Sequence, residues 1–262
     1  MTFVTPFSLS PDPAFLYLTP NLEATLHKCR YTIDYRQGLS CILGDVGVGK
    51  STILRTVYNE YAERDDVVTV MVPSPNFATD FALVKSLCLD MGLAPRRSML
   101  DQEGELRAFL IKLYAEGKNA VVLIDEAQRL TGKMLEVVRV LLNFETDNAK
   151  LVQIILAAQL ELRDKLKDAS KKAIRSRIFA PSMLAPLTLD ETAGMIEFRC
   201  SRFGTHNPFR ADSVQAIYEA SGGVPREALK LCSIAWDMAR LRGVDTVPPE
   251  AIQAAAAELA MA

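Results

Sequence analysis

The stretch Ile42–Thr52, ILGDVGVGKST, decides the fold of this chain. Within it, Gly44 to Ser51 read G-x-x-x-x-G-K-S, a spacing in which glycines let successive backbone N–H groups turn inward around an anion. The lysine of such a loop reaches the terminal phosphates, and the helix that follows directs its positive end at them. The stretch therefore predicts a phosphate-binding loop between a strand and a helix.

The residues around the loop support this prediction. Leu39 to Leu43 form a short apolar run that predicts a strand, and an amphipathic pattern from Ile53 to Tyr61 predicts a helix. Further apolar runs, DVVTVMV, NAVVLID and LVQIILAAQ, predict buried strands that alternate with helical segments. This alternation predicts an α/β fold, with a parallel sheet covered by helices on both faces.

After Pro186 the pattern is helical only. A capping box from Thr188 to Glu191 opens the first of four predicted helices, and Pro225 suits the first position of the third. The opening of the chain is rich in proline and aromatic residues and predicts an extended, non-helical arm. We therefore expect an arm over 1–20, a nucleotide-binding core over 21–186 and an all-helical lid over 187–262.

Composition limits the class of protein. Of the 262 residues, 49% are hydrophobic and 24% charged, and the net charge of −2 argues against a chain that is basic all over. No apolar run approaches the length of about eighteen residues that a membrane span needs, and the opening lacks the pattern of a signal peptide. Five cysteines without a C-x-x-C pair predict buried thiols in a reducing cytosol, and two distant histidines predict no structural zinc. We expect a cytoplasmic protein without membrane insertion.

The run VVLIDE supplies a second set of functional residues. Asp125, at the carboxyl end of its predicted strand, would hold Mg²⁺ through water together with Ser51 of the loop. Glu126 would polarise the water that attacks the γ-phosphate of ATP. Alone, such an acid pair is often a solvated strand end, but after a G-K-S loop it predicts an ATPase that uses ATP and Mg²⁺. No N-K-x-D string is present, which argues against a GTPase.

Four more polar residues are candidates for the site. Gln159 ends the strand LVQIILAAQ, where its amide can lie beside the attacking water or simply face solvent. Arg175 and Arg177, in KKAIRSRIFAP, carry fixed charges that can complete the transition-state site of a neighbouring subunit, or form part of a basic surface. Arg226, in GGVPREALKL, begins a lid helix and either reaches the γ-phosphate or lies on the surface.

The order of these motifs resembles that of the AAA+ superfamily: a P-loop, an hhhhDE strand, a polar strand end, an S-R-I arginine and a G-x-P-R lid motif. More narrowly, PFSLSPDPAFLYLTP, LIDEAQRL, VVRVLLNFET and PLTLDETAGMIEFRC resemble blocks of secretion-pathway ATPases of the GspA/ExeA type. That group is related to transposition regulators of the TnsC, TniB and MuB kind. The resemblance spans almost the whole chain.

The resemblance implies an αβα core with a helical lid, assembled as a ring or helical filament of six or more subunits with ATP between them. By motif match, Lys50 and Glu126 bind and hydrolyse ATP, Gln159 matches sensor 1, Arg177 the arginine finger and Arg226 sensor 2. Arg175 is the weaker finger candidate, because the residue just before the apolar pair Ile178–Phe179 fits the motif better. The nucleotide-binding residues implied are Gly44, Asp45, Val46, Gly47, Val48, Gly49, Lys50, Ser51, Thr52 and Asp125.

Two cellular roles follow from this resemblance. The first is a nucleotide-switched regulator that grips duplex DNA without sequence specificity for a recombinase, and the second is an ATPase that assists a secretion or pilus machine through protein contacts. Members of the secretion group usually continue past the lid into a membrane span, whereas this sequence stops there, which favours the first role. A slow switch without turnover is disfavoured by Glu126. The candidate DNA contacts are basic residues that could meet phosphates, or else form a solvated face or a subunit contact: Lys85, Arg96, Arg97, Lys171 and Lys172.

Overall fold

The computed structural model describes residues 5–261. Contacts divide the chain into two compact units, a sheet unit and a helical unit. The sheet unit contains Asn21–Asp45 and Ile53–Leu184. The helical unit contains the described residues up to Pro20, then Val46–Thr52 and the described residues from Ala185 onward.

The sheet unit is built on five parallel strands in the order β2-β3-β4-β1-β5. β1, β3 and β4 are buried along almost their whole length, because a parallel sheet is covered on both faces. The predicted α/β fold class with a parallel sheet is therefore confirmed. The strands are β1 (Leu39–Leu43), β2 (Val67–Val72), β3 (Asn119–Ile124), β4 (Gln153–Ala158) and β5 (Ile178–Met183).

Seven helices accompany these strands. Two of them begin at Asp80 and Met99. Both starts are fixed by capping residues, since the hydroxyls of Thr79 and Ser98 each accept a backbone N–H from the first turn. The helices are α1 (Pro20–Asp34), α2 (Lys50–Ala62), α3 (Asp80–Asp90), α4 (Met99–Ala115), α5 (Gly132–Leu141), α6 (Leu160–Lys167) and α7 (Lys172–Arg175).

β5 lies at one edge of the sheet and was not predicted. Its residue Pro181 has no N–H to donate, which an edge strand tolerates because its outer side needs no ladder partner. Side chains from α1 bond to carbonyls of this strand: Lys28 Nζ lies 3.0 Å from the oxygen of Pro181, and Asn21 Nδ2 lies 3.2 Å from that of Met183. These contacts occupy backbone acceptors that an edge would otherwise expose.

The helical unit contains α8 (Leu189–Phe203), α9 (Ala211–Ser221), α10 (Pro225–Leu241) and α11 (Pro249–Ala260). The predicted capping box is confirmed, since the Thr188 hydroxyl accepts the N–H of Glu191 and the Glu191 carboxylate accepts that of Thr188. The predicted start of α10 at Pro225 is also confirmed. Within the described residues, no strand follows β5.

The arm packs within the helical unit. Phe7 is buried and contacts Phe209 and Trp236 edge-on, with ring centroids 5.5 and 5.6 Å apart. The guanidinium of Arg199 donates to two arm carbonyls, those of Pro6 and Ser8. The arm was predicted to be extended and non-helical, and this prediction is wrong at Pro13–Phe15, where a 3-10 turn is capped by Asp12.

All five cysteines are free and buried, in agreement with the predicted thiols. Burial raises the pKa of both Cys29 and Cys41 to about 12, since the thiolate loses its hydration. None of the helices formed by residues 5–261 is long and apolar enough to cross a membrane.

Candidate functional site

The carboxyl edge of the parallel sheet collects several predicted residues. Gly44 directly follows β1, and its N–H donates to the oxygen of Ala158 at the end of β4, at 3.3 Å. Asp125 directly follows β3, and its N–H donates to the oxygen of Val72 at the end of β2, at 2.9 Å. Open α/β sheets bind ligands at this edge, so the sequence pattern and the topology agree on the location.

The phosphate-binding loop continues in residues 46–52, which belong to the helical unit. Gly47 and Gly49 have φ values of 83° and 104°, a left-handed backbone that favours glycine. α2 begins at Lys50, so Ser51 and Thr52 occupy its first turn, where unpaired N–H groups and the helix dipole favour an anion. Lys50 is only 6% exposed. The loop therefore has the backbone form that phosphate binding requires.

Glu126 occupies a strained turn at the end of β3. Its φ of 52° and ψ of 35° are left-handed, a conformation that costs a non-glycine residue roughly 1–3 kcal/mol and clusters at functional sites. The turn is held because the N–H of Glu126 donates to Asp125 Oδ1 at 2.8 Å and its carbonyl accepts the N–H of Arg129 at 2.9 Å. Asp125 is 6% exposed. The turn thus lowers the stability of the fold and fixes the backbone from which two adjacent carboxylates extend.

One residue that the sequence reasoning missed links this turn to β4. Gln128 Nε2 lies 2.5 Å from Glu126 Oε2, and Gln128 Oε1 accepts the N–H of Gln159 at 3.0 Å. Gln159 directly follows β4, at the predicted strand end. A polar residue two positions after the acid pair was the available signal. The structure therefore brings Asp125, Glu126 and Gln159 together at one edge of the sheet.

The two arginine-finger candidates are anchored on neutral groups. Arg177 donates to the oxygen of Ala173 at 2.6 Å and to Asn143 Oδ1 at 2.9 Å. Arg175 donates to two carbonyls near the end of α6, at 3.2 Å each. In the described part of the chain, neither arginine forms an ion pair or a hydrogen bond with the acid pair or Gln159.

The charge of Arg177 nevertheless affects the carboxylate of Glu136. A hydrogen bond from Arg139 holds the pKa of Glu136 below its usual range, and the charges of Lys171 and Arg177 lower it further. Glu136 therefore feels the positive charges of several basic side chains, of which Arg177 is one.

Arg226 lies beside the phosphate-binding loop within the helical unit. Its N–H lies 3.3 Å from the oxygen of Gly47. A Cβ added at Gly47 would lie 2.9 Å from Val224 Cγ1 and 3.0 Å from Arg226 Cβ, so the absence of a side chain permits this approach. The G-x-P-R segment and the loop thus meet directly.

Comparison with known proteins identifies the family. A model described as AAA domain matches residues 33–166. The chain belongs to the AAA domain family.

General secretion pathway protein A of Aeromonas hydrophila is 31% identical to this AAA domain protein over 260 residues, which are 97% of this chain and 46% of the relative. The chain therefore spans about half the length of that curated relative. The fold of this chain is similar to that of the ORC2 protein of Aeropyrum pernix in ADPNP-ADP complexes. The TM-score is 0.67 and the identity 19%, and the match covers 94% of this chain and 71% of the ORC2 chain. The chain also matches Aeropyrum pernix ORC1 in complex with DNA, with a TM-score of 0.67, 18% identity, and coverage of 97% and 69%.

The oxygen donors in each unit fit Mg-ATP. The helical unit holds the Ser51 hydroxyl in the first turn of α2, and the sheet unit holds the Asp125 carboxylate after β3. Both are hard donors of the kind Mg²⁺ prefers, and Mg²⁺ takes few protein ligands because it shares phosphate oxygens. No three His, Cys, Asp or Glu residues among those described cluster as a metal-binding group.

The candidate DNA contacts fall into two groups. Lys85 lies on α3, and Arg96 and Arg97 lie between α3 and α4. Arg96 bonds to Glu105 Oε2 through Nη2 at 2.6 Å and through Nε at 3.1 Å, so its charge is already paired. Lys171 and Lys172 lie at the junction of a 3-10 turn and α7. In the described structure, no hydrogen bond or ion pair joins the two groups.

Proposed function

We propose that this AAA domain protein binds Mg-ATP and hydrolyses it to ADP and phosphate at the interface between neighbouring copies. The observation that carries the proposal is the strained Glu126 beside the buried Asp125, at the end of the strand that enters the ligand-binding edge of the sheet. Strain of this kind persists only where the surrounding structure enforces it. The phosphate-binding loop and membership in the AAA domain family support the same reading.

The roles follow from the placement of each group. Backbone N–H groups of the loop cradle the phosphates, while the Lys50 ammonium neutralises their charge. Ser51 and Asp125 hold Mg²⁺, which supplies charge neutralisation to the phosphates when bound. Glu126 accepts a proton from the attacking water, and Gln159 orients that water.

Two arginines complete the proposed site. Arg226, whose backbone bonds to Gly47, reaches the γ-phosphate and connects hydrolysis to the lid helices. Arg177 serves the site of the next copy in a ring or filament, because a fixed guanidinium charge stabilises the transition state.

Two substitutions test the ATPase proposal. Lys50→Ala should remove nucleotide binding, measured by titration with a fluorescent ATP analogue. Glu126→Gln should keep that binding, lower phosphate release by roughly 10²–10⁴-fold, and accumulate an ATP-bound assembly. A glutamine variant that hydrolyses ATP at the normal rate contradicts the assignment.

For the cellular role, the similarity to general secretion pathway protein A favours assistance to a secretion or pilus machine through protein contacts in the cytoplasm. A DNA-binding regulator of the TnsC type is the second candidate. It is supported by the exposed Arg97 and Lys172 and by the fold shared with an ORC1 protein in complex with DNA. The ion pair with Glu105 makes Arg96 a weaker phosphate contact.

Sedimentation with a non-hydrolysable ATP analogue separates these roles. Large assemblies that form only with duplex DNA, and that Arg97→Glu with Lys172→Glu abolishes, support the DNA regulator. Lys112→Glu, an exposed charge reversal on α4, is the control. Equal assembly without DNA, with no DNA in the pellet at low salt, supports the role through protein contacts.

A further inference from the structure

Gln128 belongs to the 3-10 turn Ala127–Arg129, which directly follows Glu126. Its side chain spans from the Glu126 carboxylate to the backbone at Gln159. The carboxylate can only accept and the backbone N–H can only donate, so chemistry fixes which way the Gln128 amide points.

The turn that carries Gln128 is braced from the opposite side. Lys165 Nζ, on α6, donates to the carbonyl of Gln128 and lies 3.4 Å from that of Leu130. The N–H of Leu130 donates to the carbonyl of Ala127 at 3.1 Å. Gln159 precedes the same helix α6. Gln128 is therefore tied through its side chain to the end of β4 and through its backbone carbonyl to the last turn of α6.

These contacts restrict the orientation of the Glu126 carboxylate. Its strained backbone fixes where the side chain starts, but the rotation of a glutamate carboxylate remains soft. The 2.5 Å bond from Gln128 selects one orientation of that carboxylate. The same side chain accepts the N–H of Gln159, so a shift of the β4 end would move the group that holds this carboxylate.

We propose that Gln128 is a positioning residue, which orients the Glu126 carboxylate for water activation and couples it to the β4 end at Gln159. The inference rests on the proposed ATPase function and deepens it. Gln128 touches neither ATP nor water in this role, so it acts only through Glu126.

The test is Gln128→Met, which keeps the length of the side chain and removes both of its hydrogen bonds. We expect kcat to fall about 10- to 100-fold, because a small misplacement of a reacting group can cost 10²-fold. KM and the Kd for ATP should stay within about twofold, since binding groups are untouched. Gln128→Glu, which faces Glu126 with a second carboxylate, should lower kcat at least as much.

Arg129→Met is the matched control. Its exposed side chain makes no hydrogen bond or ion pair with the described residues, and it lies in the same turn. Its kcat and melting temperature should match those of the original protein. A kcat loss as large as that of Gln128→Met would assign the effect to the turn as a whole and overturn the proposal.

A double variant separates positioning from a structural role. In the Glu126→Gln background, Gln128→Met should cause no further loss, since the base through which it acts is already gone. The inference is overturned by a kcat for Gln128→Met equal to or above that of the original protein. It is also overturned by a loss that tracks weaker ATP binding or a lower melting temperature, or by a further loss in the double variant. Normal turnover by Glu126→Gln alone would instead refute the ATPase proposal itself.

Discussion

Glu126 and Arg177, two charged groups assigned to the same reaction, are held in opposite ways. Glu126 lies in a strained turn and is bonded through its backbone and its carboxylate. Arg177 rests on a backbone carbonyl and on the side-chain amide of Asn143. Neutral acceptors bind a guanidinium less strongly than a carboxylate does. The difference supports the proposal that the acid is fixed in advance, whereas the arginine can leave its neutral acceptors for a neighbouring copy.

Among the three comparisons that follow, the largest expected effect comes from removing that arginine. Arg177→Ala should lower assembly-dependent turnover by roughly 10³-fold or more, the range of other arginine fingers, and leave ATP binding by the monomer unchanged. Phosphate release measured over a range of protein concentrations tests this. Arg175→Ala is the comparator, because its guanidinium also rests on carbonyls. A larger loss in Arg175→Ala would transfer the role to that residue, and normal turnover of Arg177→Ala at every concentration would refute a finger acting between copies.

Arg226 differs from Glu126 and Arg177, because the described structure holds it through a backbone hydrogen bond to Gly47 and not through its side chain. Gly47→Ala would press a methyl group against Val224 and Arg226, whereas Gly49→Ala meets nothing within 4 Å. Both substitutions strain a left-handed backbone, so the free energy of unfolding should fall in each, but by roughly 1–3 kcal/mol more at Gly47 because of overpacking. Urea unfolding of the two variants measures the difference. Equal losses would show that the loop and the G-x-P-R segment are not closely packed.

The smallest effect should follow loss of an Arg177 anchor. Asn143→Ala removes the 2.9 Å acceptor of the guanidinium without touching the acid pair. Since Arg177 abandons this contact in the proposed active assembly, we expect kcat to stay within about twofold. A steady-state phosphate assay checks this. A drop comparable to the one expected for Gln128→Met would erase the distinction between a fixed acid and a movable arginine.

Much of the site could be predicted from the sequence because its signals are local. The G-K-S loop, the apolar runs of β1 to β4 and the acid pair each occupy a few consecutive residues with a physical meaning of their own. The Thr188 capping box was readable for the same reason. What could be predicted, therefore, was the set of central strands β1 to β4 and the groups that end them.

The features that could not be predicted depend on contacts between residues that are distant in the sequence. β5 carries Pro181 and alternates exposed and buried positions, so it lacks the continuous apolar run that marks the central strands. Gln128 acquires its role only when the β3 and β4 ends lie side by side. The approach of Arg226 to Gly47 likewise joins residues far apart in sequence, and no local pattern reports it.

The central claim is that the fixed acid of one copy works with the arginine of the next, and mixing two inactive variants tests it most directly. Glu126→Gln retains the arginine and Arg177→Ala retains the acid, so an equal mixture restores complete sites wherever the two meet. With random assembly, roughly a quarter of the interfaces should become complete, and ATP turnover should rise to about that fraction of the original. A mixture no more active than its parents would contradict a site shared between copies.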